Sequence, residues 1–177
     1  MTTPESGLLP DTPIEAITIT RIAEILEDQE LQYRIEDAPA PTPAGENASD
    51  ADETAPATIQ LLRTGFVNTI VAMQLRNDNL VIDSVWRGQV PVSEGPQLLS
   101  LINQWNSEHF APTLRFFESD QGSLAVSAVR ELHAVHGASR NQLGAFVMAS
   151  LNALLEAFAF IEASYPQLVT WQEPVHD

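Results

Sequence analysis

Two histidines three residues apart, His133 and His136, are the pair whose type and spacing come closest to a metal site. On one face of a helix, two imidazoles at this spacing can share a zinc ion. The pattern around them instead predicts the end of a strand and a loop, and no glutamate follows as it does in metalloproteases. Only His109 could supply a third imidazole from the body of the chain. We therefore expect a solvated strand end and no metal.

Other reactive groups are few. The chain has no cysteine, and all eight of its basic residues are arginine. Thiol catalysis, Schiff bases and a phosphate-loop lysine are thereby excluded. No Gly-x-Ser-x-Gly motif occurs, and the acidic cluster at 50–53 lacks the ligand spacing and glycine of a calcium loop. We expect no catalytic residue and no cofactor. Asp83 is the one carboxylate in an apolar strand, and we expect it to be solvated or paired with Arg76 or Arg87.

Aromatic side chains are the better candidates for contact with a partner. Trp105 and Phe116 fall on the apolar faces of a helix and a strand, which predicts core positions. Trp86, Phe110 and Phe117 could equally line an apolar groove for an extended peptide. These three are our candidate partner-binding residues.

The net charge of −16 is concentrated at the N-terminal side. Residues 1–57 hold thirteen acids and two arginines, and so carry most of the excess. Such a surface repels phosphates and anionic lipid, so we expect neither a nucleic acid nor a membrane as partner. No stretch reads as a membrane span and no signal peptide is evident. The sequence therefore predicts a soluble, cytoplasmic protein.

The elements follow from hydrophobic periodicity. A helix is expected from Thr18, its N-cap, to about residue 29, followed by a short half-buried strand over 31–36. Alternation then predicts a three-stranded antiparallel meander from residue 57 to 87, and residues 88–95 look like a loop. A helix over 96–106 leads to a hairpin around Gly122.

The last helix carries a long apolar stripe. Ser139 and Gln142 form a capping box at its start, and it must end before Pro166. Its stripe is wider than one face of a sheet is expected to cover, which indicates a second contact or a homodimer.

Three segments look different from this body. Residues 1–16 read as a flexible leader, residues 37–57 as a flexible acidic loop rich in proline and alanine, and residues 166–177 as a tail. The expected folded domain is therefore 17–165, with the acidic loop inserted.

Several runs in this body resemble the YbjN-domain family. They are Ile17-Thr18 at the first helix, Leu101-Ile102-Asn103-Gln104-Trp105-Asn106, the hairpin around Gly122, and Ser139-Arg140-Asn141-Gln142-Leu143. The resemblance covers about residues 17–165. It implies an α+β sandwich of order α-βββ-α-ββ-α with an antiparallel sheet, like the type III secretion chaperone fold, often homodimeric. It also implies a non-enzymatic sensory transduction regulator or chaperone-like binder, and it carries no catalytic residues.

Three hypotheses about function follow. The first is a dimeric protein-binding module whose sheet surface or strand edge receives an extended partner segment. The second is a small-molecule sensor or enzyme with a pocket between helix and sheet, lined by groups such as Asp83, Arg87 or Arg115. The third is a regulator whose acidic loop is the working part.

Overall fold

The computed structural model describes residues 11–39 and 58–171. Three α-helices pack on a six-stranded antiparallel sheet. In chain order the elements are α1 (Ile19–Asp28), β1 (Arg34–Pro39), β2 (Thr58–Phe66), β3 (Thr69–Arg76), β4 (Asn79–Pro91), α2 (Gly95–Glu108), β5 (Thr113–Glu118), β6 (Ser123–His133) and α3 (Arg140–Ser164). The strand order across the sheet is β1-β2-β3-β4-β6-β5. The predicted α+β class and antiparallel sheet are confirmed.

Strand bounds differ from the prediction in two places. Strand β1, expected over 31–36, spans Arg34–Pro39, so Asp37, Ala38 and Pro39 belong to the sheet and not to the expected loop. The run before α2 therefore has four strands, one more than the order that the resemblance implied. Strand β4 continues through the expected loop at Gly88 as far as Pro91, with a register shift between Val85 and Gln89. Any Cβ at Gly88 would overlap the indole ring of Trp86, so only glycine fits there. The remaining expected loop, 40–57, lies outside the described residues.

The core lies between the helices and one face of the sheet. Thr18 caps α1 by accepting a hydrogen bond from the Arg21 N–H, as predicted, and the Ser139–Gln142 capping box opens α3. The buried stripe of α3 packs with the buried side of α1 and the inner positions of the central strands. Its members are Leu143, Val147, Ser150, Leu151, Leu154, Ala157, Phe158 and Ile161.

Residues 11–16, which the sequence assigns to the leader, contact the start of α3. The Arg140 N–H donates to Thr12 Oγ1 at 2.9 Å, and the Asn141 N–H donates to Asp11 Oδ1 at 3.0 Å. Glu15 forms an antiparallel bridge with Ala138. The Asn141 N–H is the main cause that lowers the pKa of the Asp11 carboxyl. Asp11 and Thr12 thus satisfy N–H groups that the first turn of a helix leaves free, and Glu15 adds a backbone bridge, so this segment packs with the folded domain.

Helix α3 is the one element among the described residues with the length and apolarity of a membrane span. Its most apolar window has a mean hydropathy of 1.7, and 39% of that window is buried. The expectation that no stretch reaches these criteria was wrong. Length and composition are weak grounds for a membrane span, because a core helix meets them as well, and α3 has eight buried residues.

Candidate functional site: the open face of the sheet

Within the described part of the chain, the helices cover one face of the sheet and no helix packs on the other. Side chains alternate between faces along each strand, so the register identifies the uncovered positions. Arg63 pairs with Ala72, and Ala72 pairs with Asp83 on the next strand. The same row continues to Val129 on β6 and Thr113 on β5. We call the surface that contains this row the open face.

A shallow groove of about 430 Å³ crosses the open face over strands β1 to β4. Its lining residues are Ala38, Pro39, Ile59, Leu61, Arg63, Ile70, Ala72, Gln74, Arg76, Asp83, Ser84 and Val85. The side of the groove includes two apolar residues that face solvent, Ile70 at 50% exposure and Val85 at 38%. The groove therefore offers an apolar floor and walls with a few charged groups, the composition usual for binding sites.

Asp83 is the carboxylate of this groove. Arg115 donates from Nη2 to Asp83 Oδ2 at 2.7 Å and from Nε to Ser127 Oγ at 3.0 Å. The other carboxyl oxygen, Oδ1, is buried and has no hydrogen-bond partner among the described residues. Burial raises the pKa of the Asp83 carboxyl above its ordinary value, although the charges of Arg115 and Arg76 oppose the shift. Asp83 is thus paired with an arginine, as the sequence suggested, but its main partner is Arg115.

The groove also contains two arginines. Arg63 is paired with Glu36 at the rim. Arg76 has no carboxylate of residues 11–39 or 58–171 within 4.0 Å. With Asp83 already paired to Arg115, the groove is locally positive in a chain whose net charge is −16.

The three predicted partner-binding aromatics do not meet at one site. Trp86 is fully buried, and its Nε1 donates to Glu162 Oε1 at 2.9 Å, so its assignment to a binding surface is corrected to the core. Its alternation with Leu80 and Ile82, both buried, was the signal in the sequence. Phe110 is fully exposed in the loop after α2, and Phe117 is 47% exposed on β5. Neither lines the groove.

The polar groups of the second hypothesis do not line one pocket between helix and sheet. Asp83 and Arg115 lie on the open face, away from the helices. Arg87 lines a separate cavity of about 450 Å³ with Gln167 and Trp171. The polar groups of that hypothesis therefore converge only as the Asp83–Arg115 pair.

The predicted strand end carries His133 and His136. Their ring centroids are 6.4 Å apart, and His133 Nδ1 lies 2.9 Å from Asn79 Oδ1. Within the part of the chain that the structure describes, no three His, Cys, Asp or Glu residues are grouped to hold a metal. The acidic cluster at 50–53 lies outside the described residues.

The Trp105-Asn106 run has a structural role that sequence reasoning missed. Trp105 Nε1 donates to the Pro112 carbonyl at 3.0 Å. Asn106 Nδ2 donates to the Leu114 carbonyl at 2.8 Å, and the Leu114 N–H donates back to Asn106 Oδ1 at 2.8 Å. The Asn106 amide thus pairs with the outer edge of β5 as a neighbouring strand would.

Comparison with known proteins agrees with this architecture. The crystal structure of YbjN from E. coli, described as "a putative transcription regulator", is similar with a TM-score of 0.61. The identity is 13%, and the match covers 88% of this chain and 98% of the other, so this likeness concerns the fold alone. No curated protein matches the sequence. A family model described as "Putative bacterial sensory transduction regulator" matches residues 18–163, and the chain therefore belongs to the YbjN family.

Proposed function

We propose that this protein is a non-enzymatic regulator that binds an extended segment of a partner protein on its open face and acts as a dimer. The observation that carries the proposal is the groove, because no helix of residues 11–39 or 58–171 covers the sheet there and Ile70 and Val85 are exposed. The family description supports a regulatory rather than a catalytic role.

The face of the sheet is a better receptor than its edges. An edge strand recruits a partner through free N–H and C=O groups. On β5, Asn106 already occupies both groups of Leu114. On β1, Pro39 has no N–H to donate, and the strand carries the charged residues Arg34, Glu36 and Asp37. Both edges therefore carry features that oppose strand addition, and the open face is the more accessible part of the sheet.

A small-molecule sensor is the second candidate. The groove volume of about 430 Å³ lies within the range of ligand sites, and the raised pKa of Asp83 is typical of functional positions. The groove is open along its length, which suits an extended segment better than a compact ligand.

Site-specific photo-cross-linking tests the proposal. A benzophenone side chain at Ile70 would report on the groove, and the same group at Leu99 is the control, because Leu99 is a similarly exposed apolar residue on α2 (50% and 47%). We expect the Ile70 probe, in cells of the native host, to form an adduct that mass spectrometry maps to one segment of one partner. Equal labelling from both positions would refute the proposal. A small molecule retained in native mass spectra, without protein adducts, would favour the second candidate.

A further inference from the structure

We infer that the groove selects a partner segment with two acidic side chains four residues apart and an apolar side chain midway between them. This inference rests on the proposed function and specifies the chemistry of the partner. It follows from the placement of Arg63, Arg76 and the apolar residues between them.

The two arginines lie at separated points of the groove. Arg63 on β2 pairs with Ala72 on β3, and Arg76 lies four residues further along β3. At a rise of about 3.3 Å per residue, the two positions are about 13 Å apart along the strand direction. An extended segment that runs parallel to β3 covers this length in four residues. Its carboxylates at positions i and i+4 can therefore reach both guanidinium groups.

The floor between the arginines has apolar residues on both sides of one amide. Gln74 lies midway on β3 and pairs with Leu61 on β2 and with Val81 on β4. In an extended segment, positions i, i+2 and i+4 point to the same side. The residue at i+2 therefore faces the row of Leu61, Gln74 and Val81 when its neighbours at i and i+4 face the arginines. A small or branched apolar side chain fits this position.

The charges favour an acidic partner over a second copy of the chain. Arg76 has no carboxylate from residues 11–39 or 58–171 within ion-pair distance, and Asp83 is already paired with Arg115. Arg63 is bonded to Glu36 through Nε, and its Nη groups donate no hydrogen bond within the described residues, so they can still accept a second carboxylate as partner. In an isologous dimer through the open face, arginines would meet arginines, and like charges would oppose the contact. A nucleic acid would bring a dense row of phosphates toward a chain with a net charge of −16. A segment with two carboxylates complements the positive charge of the groove and does not bring a dense row of negative charges toward the chain.

Binding of designed peptides to the full-length protein tests the inference. The probe is a fluorescein-labelled nine-residue peptide with aspartates at its third and seventh positions, valine between them at the fifth and threonine elsewhere. Matched peptides carry lysine at both aspartate positions, or the two aspartates at adjacent positions. Fluorescence anisotropy gives each Kd. We expect the probe to bind at least about tenfold more tightly than either matched peptide, the difference that one charge-assisted hydrogen bond supplies.

Arginine variants locate the contact. Arg76→Gln and Arg63→Gln should each weaken probe binding by about tenfold. Arg140→Gln is the matched control, because it removes a half-exposed arginine from the helical side of the molecule, and it should leave the Kd unchanged. Amide chemical shifts of Ala72 and Gln74 should move when the probe is added.

The outcomes separate this inference from the proposed function. Equal affinity for the aspartate and lysine peptides overturns the acidic preference, and the cross-linking result at Ile70 then still stands by itself. Failure of every peptide to bind, together with no adduct at Ile70, overturns both. A variant in which residues 40–57 are replaced by a short Gly-Ser connection must bind the probe as the full chain does. If it binds more than about tenfold more tightly, the groove belongs to the chain's own acidic segment, and the assignment to a partner is wrong.

Discussion

Asp83 illustrates how a single side chain reports on the open face. Its two carboxyl oxygens differ, since Oδ2 accepts from Arg115 and Oδ1 is buried without a partner among the described residues. Burial outweighs the nearby arginines, and the pKa of the carboxyl lies above its ordinary value. A raised pKa means that the folded state holds this proton more tightly than the unfolded state. The contribution of Asp83 to stability is therefore complete below the unfolded pKa and is lost as the pH rises through the folded pKa.

The substitution Asp83→Asn should remove this pH-dependent loss of stability. The free energy of unfolding of the variant, relative to that of the wild type, should rise as the pH increases from about 3.5 to about 7, because only the wild type must ionise a desolvated carboxyl. Urea denaturation at several pH values measures the difference. In an Arg115→Gln background, which removes a charge that lowers the Asp83 pKa, the trend should be steeper. A relative stability that falls over this range would contradict the argument.

The element that distinguishes the fold is the joint between α2 and β5. Two side chains from the last turns of α2 hold the strand, Trp105 through the Pro112 carbonyl and Asn106 through both backbone groups of Leu114. The run that carries the family resemblance is therefore structural. It fixes the start of β5 and caps its edge at Leu114, and it contains no reactive group.

Asn106→Ala should destabilise the protein by roughly 1–3 kcal/mol, because two hydrogen bonds to Leu114 are lost at a half-buried site. Asn103→Ala is the matched control. Asn103 lies on the same helix, is exposed and forms no side-chain hydrogen bond within the described residues, so the change in helix propensity is the same. Chemical denaturation of both variants gives the comparison, and amide exchange at Leu114, whose N–H donates to Asn106, should increase only for Asn106→Ala. Equal stability of the two variants would show that the Asn106 pairing contributes nothing.

The elements differ in how well the sequence predicts them. Helices α1 and α3 follow from local signals, the caps at Thr18 and Ser139 and the spacing of their buried residues. The end of β4 could not be predicted in this way. Gly88 and Pro91 are typical of a loop, and only the structure shows that Gly88 is needed beside the ring of Trp86. The open face was also beyond the sequence. Arg63, Arg76 and Asp83 come together only through the pairing of three strands, and no periodicity within a single strand contains that register.

Considered as a whole, the molecule has two surfaces of opposite character. The open face is locally positive at Arg76, whereas the chain carries −16 overall. The helical side exposes the outer face of α3, in which four alanines are exposed together with Asn152 and Glu156: Ala145, Ala149, Ala159 and Ala163. An apolar helix that leaves most of its most hydrophobic window unburied is suited to packing against another helix. Small side chains there allow two backbones to approach closely, which favours a dimer through α3 and leaves both open faces free.

The proposed dimer can therefore be tested without disturbing the groove. Ala149→Arg places a charge and a long side chain in the middle of the outer face of α3, and it should shift the protein from dimer to monomer in sedimentation velocity at micromolar concentration. Asn103→Arg adds the same group to the exposed side of α2 and should remain dimeric. The acidic peptide probe should bind the Ala149→Arg monomer as tightly as the wild type, because the groove and α3 lie on opposite sides of the sheet. A wild-type protein that sediments as a monomer at every concentration would contradict the dimer. A monomeric variant that loses the probe would show that the two surfaces depend on each other.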